Sequence, residues 1–177
     1  LLTLNMARQG LFGELIHVEG AYIHDLRSLN FSKKGYADMW RLKHNQHRNG
    51  NLYPTHGLGP VCQALNINRG DKMEYLTSMS SNDFQMGNMA EDLAKGDAFF
   101  TEFATGGYRG NMNTTHVRTE KGKTIMIQHD TTSPRPYSRI HLISGTKGVA
   151  CKYPEPGRIA LGHEWFDEAK MTELKEQ

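Results

Sequence analysis

Two short glycine-bearing connections, Glu120-Lys121-Gly122-Lys123 and Gly145-Thr146-Lys147-Gly148, each lie between two segments of alternating apolar and polar residues. They constrain the fold more than any other feature. A connection this short returns the chain antiparallel to itself, because a parallel crossover needs roughly a dozen residues or more. Gly122 offers the positive φ that tight hairpin turns use. Alternation predicts strands over 110–119, 124–131, 138–144 and 149–153 around these turns, and over 14–24, 71–80 and 98–104 elsewhere. In the first of these, Leu15, His17, Glu19 and Ala21 should share a face, with Ile16, Val18 and Tyr22 near the other. Helical spacing of Leu4, Met6, Ala7 and Leu11 predicts an opening helix over 2–12, stopped at Gly13. A second helix is expected over 55–65 with a Thr55 cap, a loop plus short helix over 82–94, and an amphipathic helix over 165–175. Strands outnumber helices and tight turns join most of them. The expected class is α+β, a mainly antiparallel sheet with a few helices packed on one face.

The length of 177 residues suits one domain with its own core. A hydrophobic share of 37% is too high for a disordered chain. Lys plus Arg number 21 against 19 Asp plus Glu, a net charge of +2, which gives no electrostatic reason to expect nucleic acid or an anionic membrane as partner. No apolar run approaches the ~20 residues of a membrane span. Cys62 and Cys151 set neither a disulfide framework nor a zinc site and are expected to be buried small hydrophobes. The chain begins with Leu rather than Met, so it is expected to continue a longer protein.

Residues 25–51 are polar and aperiodic, with Tyr36 and Trp40 as the large anchors; such long irregular stretches are usually functional. Gly57-Leu58-Gly59-Pro60-Val61-Cys62 imitates a dinucleotide fingerprint but fails: Pro60 sits in the turn, Cys62 ends it, and no strand leads into it. His44 and His47 have the spacing of two metal ligands, yet no third is near; two solvated histidines explain them as well. Tyr53 and His56 straddle Pro54 ahead of a helix. Together they could supply acid–base chemistry, although a Tyr and a His packed under a loop would look the same. The stretch Ser133-Pro134-Arg135-Pro136-Tyr137 is a stiff connection suited to recognising a polyhydroxy ligand, or simply a rigid turn. Asp38, Glu91, Asp92 and Asp130 show no spacing that would make a glycosidase carboxylate pair.

The opening helix followed by Gly10-Leu11-Phe12-Gly13-Glu14-Leu15-Ile16-His17-Val18-Glu19-Gly20 resembles the entry to the C-terminal domain of the Gfo/Idh/MocA oxidoreductase superfamily. Three stretches bring the likeness closer to its NAD-dependent glycoside hydrolases of the α-N-acetylgalactosaminidase type: Ala21-Tyr22-Ile23-His24-Asp25-Leu26-Arg27, Tyr53-Pro54-Thr55-His56-Gly57-Leu58-Gly59-Pro60, and Ser133 to Tyr137. The resemblance spans nearly the whole chain. It implies an open, largely antiparallel sheet and a Rossmann domain upstream that binds most of the NAD. It also implies homo-oligomerisation through the sheet face and a carbohydrate substrate contacted by Tyr22, Arg41, Tyr53, Pro54, Thr55, His56 and Tyr137. His56 would be the acid/base group and Tyr53 its partner. The implied reaction oxidises the sugar at C3, eliminates the aglycone after loss of the C2 proton, adds water and reduces the ketone, which needs no carboxylate pair. Many dehydrogenases of the superfamily carry Asp four residues before the histidine; here that position is Leu52. A sugar dehydrogenase and a non-catalytic sugar-binding or assembly domain are the competing readings. The isolated chain is expected to be inactive.

Overall fold

A computed structural model describes residues 1–176. Seven strands, β1 (Leu15–Ile23), β2 (Met73–Ser80), β3 (Asn113–Thr119), β4 (Thr124–Asp130), β5 (His141–Gly145), β6 (Gly148–Lys152) and β7 (Arg158–Leu161), form one sheet in the order β2-β3-β4-β1-β5-β6-β7. The two tight connections make the hairpins β3–β4 and β5–β6, and Gly122 adopts φ +82° in the first. The Asp71 carboxylate braces that turn, accepting hydrogen bonds from the Thr119 hydroxyl at 2.8 Å and from the backbone N–H groups of Lys72 and Lys121 at 2.8 and 3.2 Å. All neighbouring pairs are antiparallel except the central pair, β1 and β4, which runs parallel. Strand periodicity carries no information about this pairing, because its two partners are far apart in the chain.

One face of the sheet is apolar and covered. Val18, Val117, Ile125, Ile127, Ile143 and Ile159 pack there beneath α1 (Leu2–Arg8), α4 (Thr55–Ala64) and α7 (Glu168–Glu176). These helices meet the sheet through Met6, through Val61 and Ala64, and through Met171 and Leu174. The other face stays open, with Tyr75 and Met79 on β2 59% and 77% exposed. The registry slips between Leu15 and His17, a bulge that turns both Leu15 and Val18 inward and leaves Ile16 exposed. The face sharing expected of Leu15 with His17 is therefore broken. At the centre, α4 rests directly on β1. A Cβ on Gly20 would lie 2.3 Å from the Gly57 carbonyl oxygen, and one on Gly57 would lie 2.6 Å from the Ala21 nitrogen. Only glycine at both positions allows backbone to meet backbone this closely.

Several expectations need correction. Residues 98–104 are helical, a 3₁₀ turn (Ala98–Phe100) leading into α6 (Thr101–Ala104), rather than a strand. Asp97 accepts from Phe99 N–H at 3.0 Å to start the turn, and Phe100 and Phe103, three apart, point together into a core. That core also holds Phe31, Met39, Leu42, Met86 and Ala90. It gathers α2 (Arg27–Asn30), α3 (Trp40–His47) and α5 (Met86–Gly96), so residues 25–51 are partly helical and Trp40, 44% exposed, is not their anchor. Thr55 does not cap α4: Pro54 occupies the cap position with helical φ and ψ of −71° and −19°, and its carbonyl accepts from Gly57 and Leu58. β7 is too short for alternation to reveal, and the last helix begins at Glu168 rather than 165. Both cysteines are half-buried: Cys62 leans on the core, while Cys151 is not part of it.

Candidate active site

Because β1 and β4 are parallel, their C-terminal ends lie side by side, with Tyr22 in register with His129. Tyr22 lies on β1 and His24 just past its end, and their rings meet edge-on with centroids 6.0 Å apart. The first turn of α4 sets His56 over Tyr22, and the loop before it adds Tyr53. The ring centroids are 4.7 Å apart for Tyr22–His56, 4.9 Å for Tyr53–His56 and 5.5 Å for Tyr22–Tyr53, all edge-on. Pro60 in α4 has no N–H for the His56 carbonyl one turn earlier, which leaves the first turn less tied than the rest. His24 extends the cluster: its Nδ1 is 3.4 Å from the Tyr22 hydroxyl, and its ring stands 5.0 Å from that of Tyr137. The Tyr137 hydroxyl in turn accepts from Arg139 Nε. From α3, the Arg41 guanidinium stacks among Tyr36, Trp40 and Tyr53 at 4.7, 5.0 and 5.6 Å.

The charges suit proton transfer. Burial, then Arg139 and Arg41, pushes the His56 pKa below its usual value, so the imidazole is neutral near pH 7 and can accept a proton. Burial raises the Tyr22 pKa despite the opposing charge of Arg41, so its phenol stays protonated and can donate.

Beside the ring cluster is a cavity of about 120 Å³ lined by Trp40, Arg41, His44, Leu52, Tyr53 and His129, among others. Arg109, 2% exposed, braces its walls. Its guanidinium donates to the Asn45 side-chain oxygen at 2.6 Å, the Gly110 carbonyl at 3.0 Å and the Thr131 hydroxyl at 3.2 Å. The Asn45 amide then donates to the Arg41 carbonyl at 2.9 Å, so this buried arginine helps hold the helix that carries Arg41. Burial lowers the Arg109 pKa to about 10, and it remains charged at neutral pH.

Of the residues singled out from the sequence, Tyr22, Tyr53, His56 and Arg41 meet at one place, and Tyr137 joins through His24. Pro54 and Thr55 do not join them. Both are exposed and line a separate groove with Leu58, Gly59 and Ile67. His24, His129 and Arg109 were not singled out. The two-residue spacing of Tyr22 and His24 could have drawn attention to His24; the other two needed the β1–β4 pairing and the second core. Asp130 holds the turn after β4, its carboxylate accepting from Thr132 and Ser133 N–H, and Asp38 pairs with Lys43 at the surface. Among the described residues no group of three His, Cys, Asp or Glu side chains could hold a metal. The Gly57–Gly59 segment is helix packed on β1, not a phosphate-cradling turn.

Residues 1–175 match the family model for the C-terminal domain of glycosyl hydrolase 109. The chain belongs to the glycosyl hydrolase 109 family. A Bacteroides fragilis protein named alpha-N-acetylgalactosaminidase is 56% identical over 165 residues, covering 91% of this chain and 38% of that protein. A Phocaeicola vulgatus protein named glycosyl hydrolase family 109 protein 2 is 50% identical over 177 residues, covering 94% of this chain and 42% of its own length. The chain thus spans about two-fifths of the curated relatives it matches. Among solved structures, an inositol dehydrogenase homologue from Azotobacter vinelandii complexed with NAD+ superposes with a TM-score of 0.62 at 14% identity, over 93% of this chain and 39% of that one. Levoglucosan dehydrogenase complexed with NADH gives 0.59 at 14% identity, over 92% and 40%. The fold is that of the C-terminal domain of Gfo/Idh/MocA oxidoreductases, as the sequence resemblance implied.

Proposed function

We propose that this chain is the substrate-binding domain of an NAD-dependent glycoside hydrolase that acts on α-N-acetylgalactosaminides or related glycosides by oxidation, elimination, addition and reduction. The observation that carries the reading is the meeting of Tyr22, Tyr53, His56 and Arg41 in a member of this family. His56, neutral and aromatic-walled, takes a proton from the bound sugar and returns it later, with Tyr53 as its partner. Tyr22 donates a hydrogen bond to a sugar hydroxyl, Arg41 supplies further donors, and Tyr137 closes the far side. NAD belongs to this reading through the resemblance, which assigns most of its binding to residues of the full-length protein outside this chain. The uncovered sheet face, with Tyr75 and Met79, is the proposed contact between subunits; light scattering giving a monomer at high concentration would overturn that assignment.

The direct test is hydrolysis of a nitrophenyl α-N-acetylgalactosaminide by the full-length enzyme. His56→Ala should lower kcat at least ~10²-fold if His56 is the general base. Near-normal turnover by the variant refutes the role. Net NADH production from free sugar would instead favour a sugar oxidoreductase. The purified 177-residue chain alone should show no turnover, and measurable activity would refute the placement of the cofactor.

A further inference from the structure

A glycoside extends past the sugar that is cleaved, so the reaction proposed above needs room for a leaving group. The cavity of about 120 Å³ beside the ring cluster is smaller than the roughly 300 Å³ at which small-molecule sites begin. The groove that Pro54 and Thr55 line holds about 570 Å³, but none of the clustered rings borders it and it has no aromatic side chain. A third hollow, of about 420 Å³, is bounded by the connection between β4 and β5 and by residues of β1, β5 and β6. Glu19, Arg135, Tyr137 and Tyr153 are among the side chains that line it. Tyr137 is common to this hollow and to the ring cluster. Its ring stands edge-on to His24 at 5.0 Å and edge-on to Tyr153 at 6.0 Å, so a continuous row of rings leads from Tyr22 into the hollow.

The lining narrows the choice of occupant. Tyr137 is 41% exposed and Tyr153 is half-buried, and each presents an apolar ring with a hydroxyl tip. Arg135 adds donors and Glu19 adds acceptors. Lys152, paired with Glu155 at 3.0 Å, lies 5.7 Å from the Tyr153 centroid and helps to hold that ring. A pyranose matches this mixture, because its C–H groups form an apolar face and its hydroxyls radiate from the edge. A small alkyl group would use the rings and leave Arg135 and Glu19 idle. The stiff connection from Ser133 to Tyr137 thereby gains a reason: it brings Arg135 and Tyr137 to one hollow, although the reaction at His56 calls on Tyr137 alone.

We propose that this hollow is the leaving-group subsite, that it takes a neutral hexopyranose, and that Tyr153 is the ring on which that sugar rests. The proposal rests on the glycosidase reading above. The test compares two substrates of the full-length enzyme that both release an alcohol. Methyl α-N-acetylgalactosaminide is too short to reach Tyr153, whereas a disaccharide of N-acetylgalactosamine α-linked to galactose extends over it. Contacts to a remote part of a substrate raise kcat/KM for the longer one, so the wild type should favour the disaccharide. Tyr153→Ala should lower kcat/KM for the disaccharide about tenfold, as loss of a stacked ring does, and change that for the methyl glycoside less than about twofold. Tyr153→Phe, which keeps the ring, should retain most of the preference. Equal losses on both substrates, no loss on either, or no preference in the wild type overturns the proposal. So does a change in the molecular mass in solution on Tyr153→Ala, which would make the hollow a contact between subunits. If the wild type cleaves neither glycoside while isothermal titration shows disaccharide binding that Tyr153→Ala weakens, the glycosidase reading fails and the sugar subsite stands.

Discussion

Replacing Gly57 with alanine tests how the site is held. The new Cβ would lie 2.6 Å from Ala21 N, 2.9 Å from Gly20 C and 3.1 Å from Ala21 Cα, where ordinary contact begins at 3.4 Å. All three atoms belong to the backbone of β1, which is bonded to β4 on one side and β5 on the other and cannot retreat. The helix must therefore move out by about 0.8 Å, the difference between 3.4 and 2.6 Å. Overpacking of this kind costs ~1–3 kcal/mol. At ~2–4 °C per kcal/mol for a chain of this size, Tm should fall roughly 5 °C. His56 is the adjacent residue and moves with the helix, and a displacement near 1 Å from a productive geometry can cost ~10²-fold in rate. The expected signature is a modest loss of stability with a large loss of kcat, measured by calorimetry and by nitrophenyl glycoside hydrolysis in the full-length enzyme. Gly59→Ala is the control: the same helix, the same substitution, and nothing within 4 Å of its Cβ. It should be neutral or stabilise by up to ~1 kcal/mol. A Gly57→Ala variant with wild-type Tm and kcat within ~3-fold would show that the close approach of α4 and β1 does not position the site.

The remaining predictions concern two buried side chains, Arg109 and His129. Arg109→Met fills the space but strands the Asn45, Gly110 and Thr131 acceptors, so urea denaturation should register a loss of ~3–5 kcal/mol, with Arg109→Lys recovering only part; a loss under ~1 kcal/mol refutes the bracing role. His129 gives a pH signature. Above pH 6.5 its ring is neutral folded and unfolded alike, but between 6.5 and about 3 the unfolded imidazole binds a proton that the folded one does not. Its contribution to stability should therefore fall by ~1.4 kcal/mol per pH unit over that window and level off below it. His129→Leu should be less acid-sensitive than the wild type between pH 6 and 4.5 on that ~1.4 kcal/mol slope, and parallel stability curves would contradict the burial of a neutral ring.

Much of the sheet was legible because its signals are local. The turns at 120–123 and 145–148 and the alternation beside them fix two hairpins without reference to the rest of the chain. Residues 98–104 misled because Phe99, Phe100 and Phe103 have strand propensity, and only the second core reveals that Phe100 and Phe103 act at helical spacing. The polar stretch 25–51 hid α3 for the same reason: Phe31, Met39 and Leu42 have no partners nearby in sequence and find them in α5 and α6. In the site, Tyr22, Arg41, Tyr53, His56 and Tyr137 were legible through the family resemblance, whereas Pro54 and Thr55 share its motif yet face away from the rings. His129 and Arg109 lay beyond local reading, since their significance comes from neighbours on other strands and helices.

The parallel pairing of β1 with β4 also bears on the order of folding. His17 and Thr124, bonded across that pair at 2.7 Å, are 107 residues apart in sequence, whereas the β3–β4 and β5–β6 hairpins close over a few residues. Loop-closure entropy favours the hairpins first and leaves the insertion of β1 between them to a slow, late step. Tyr22 and His24 arrive with β1, and α4 can seat His56 only once Gly20 is in place. A chain caught partway therefore holds hairpins but no sugar site, so recovery of ligand binding should trail recovery of sheet structure during refolding.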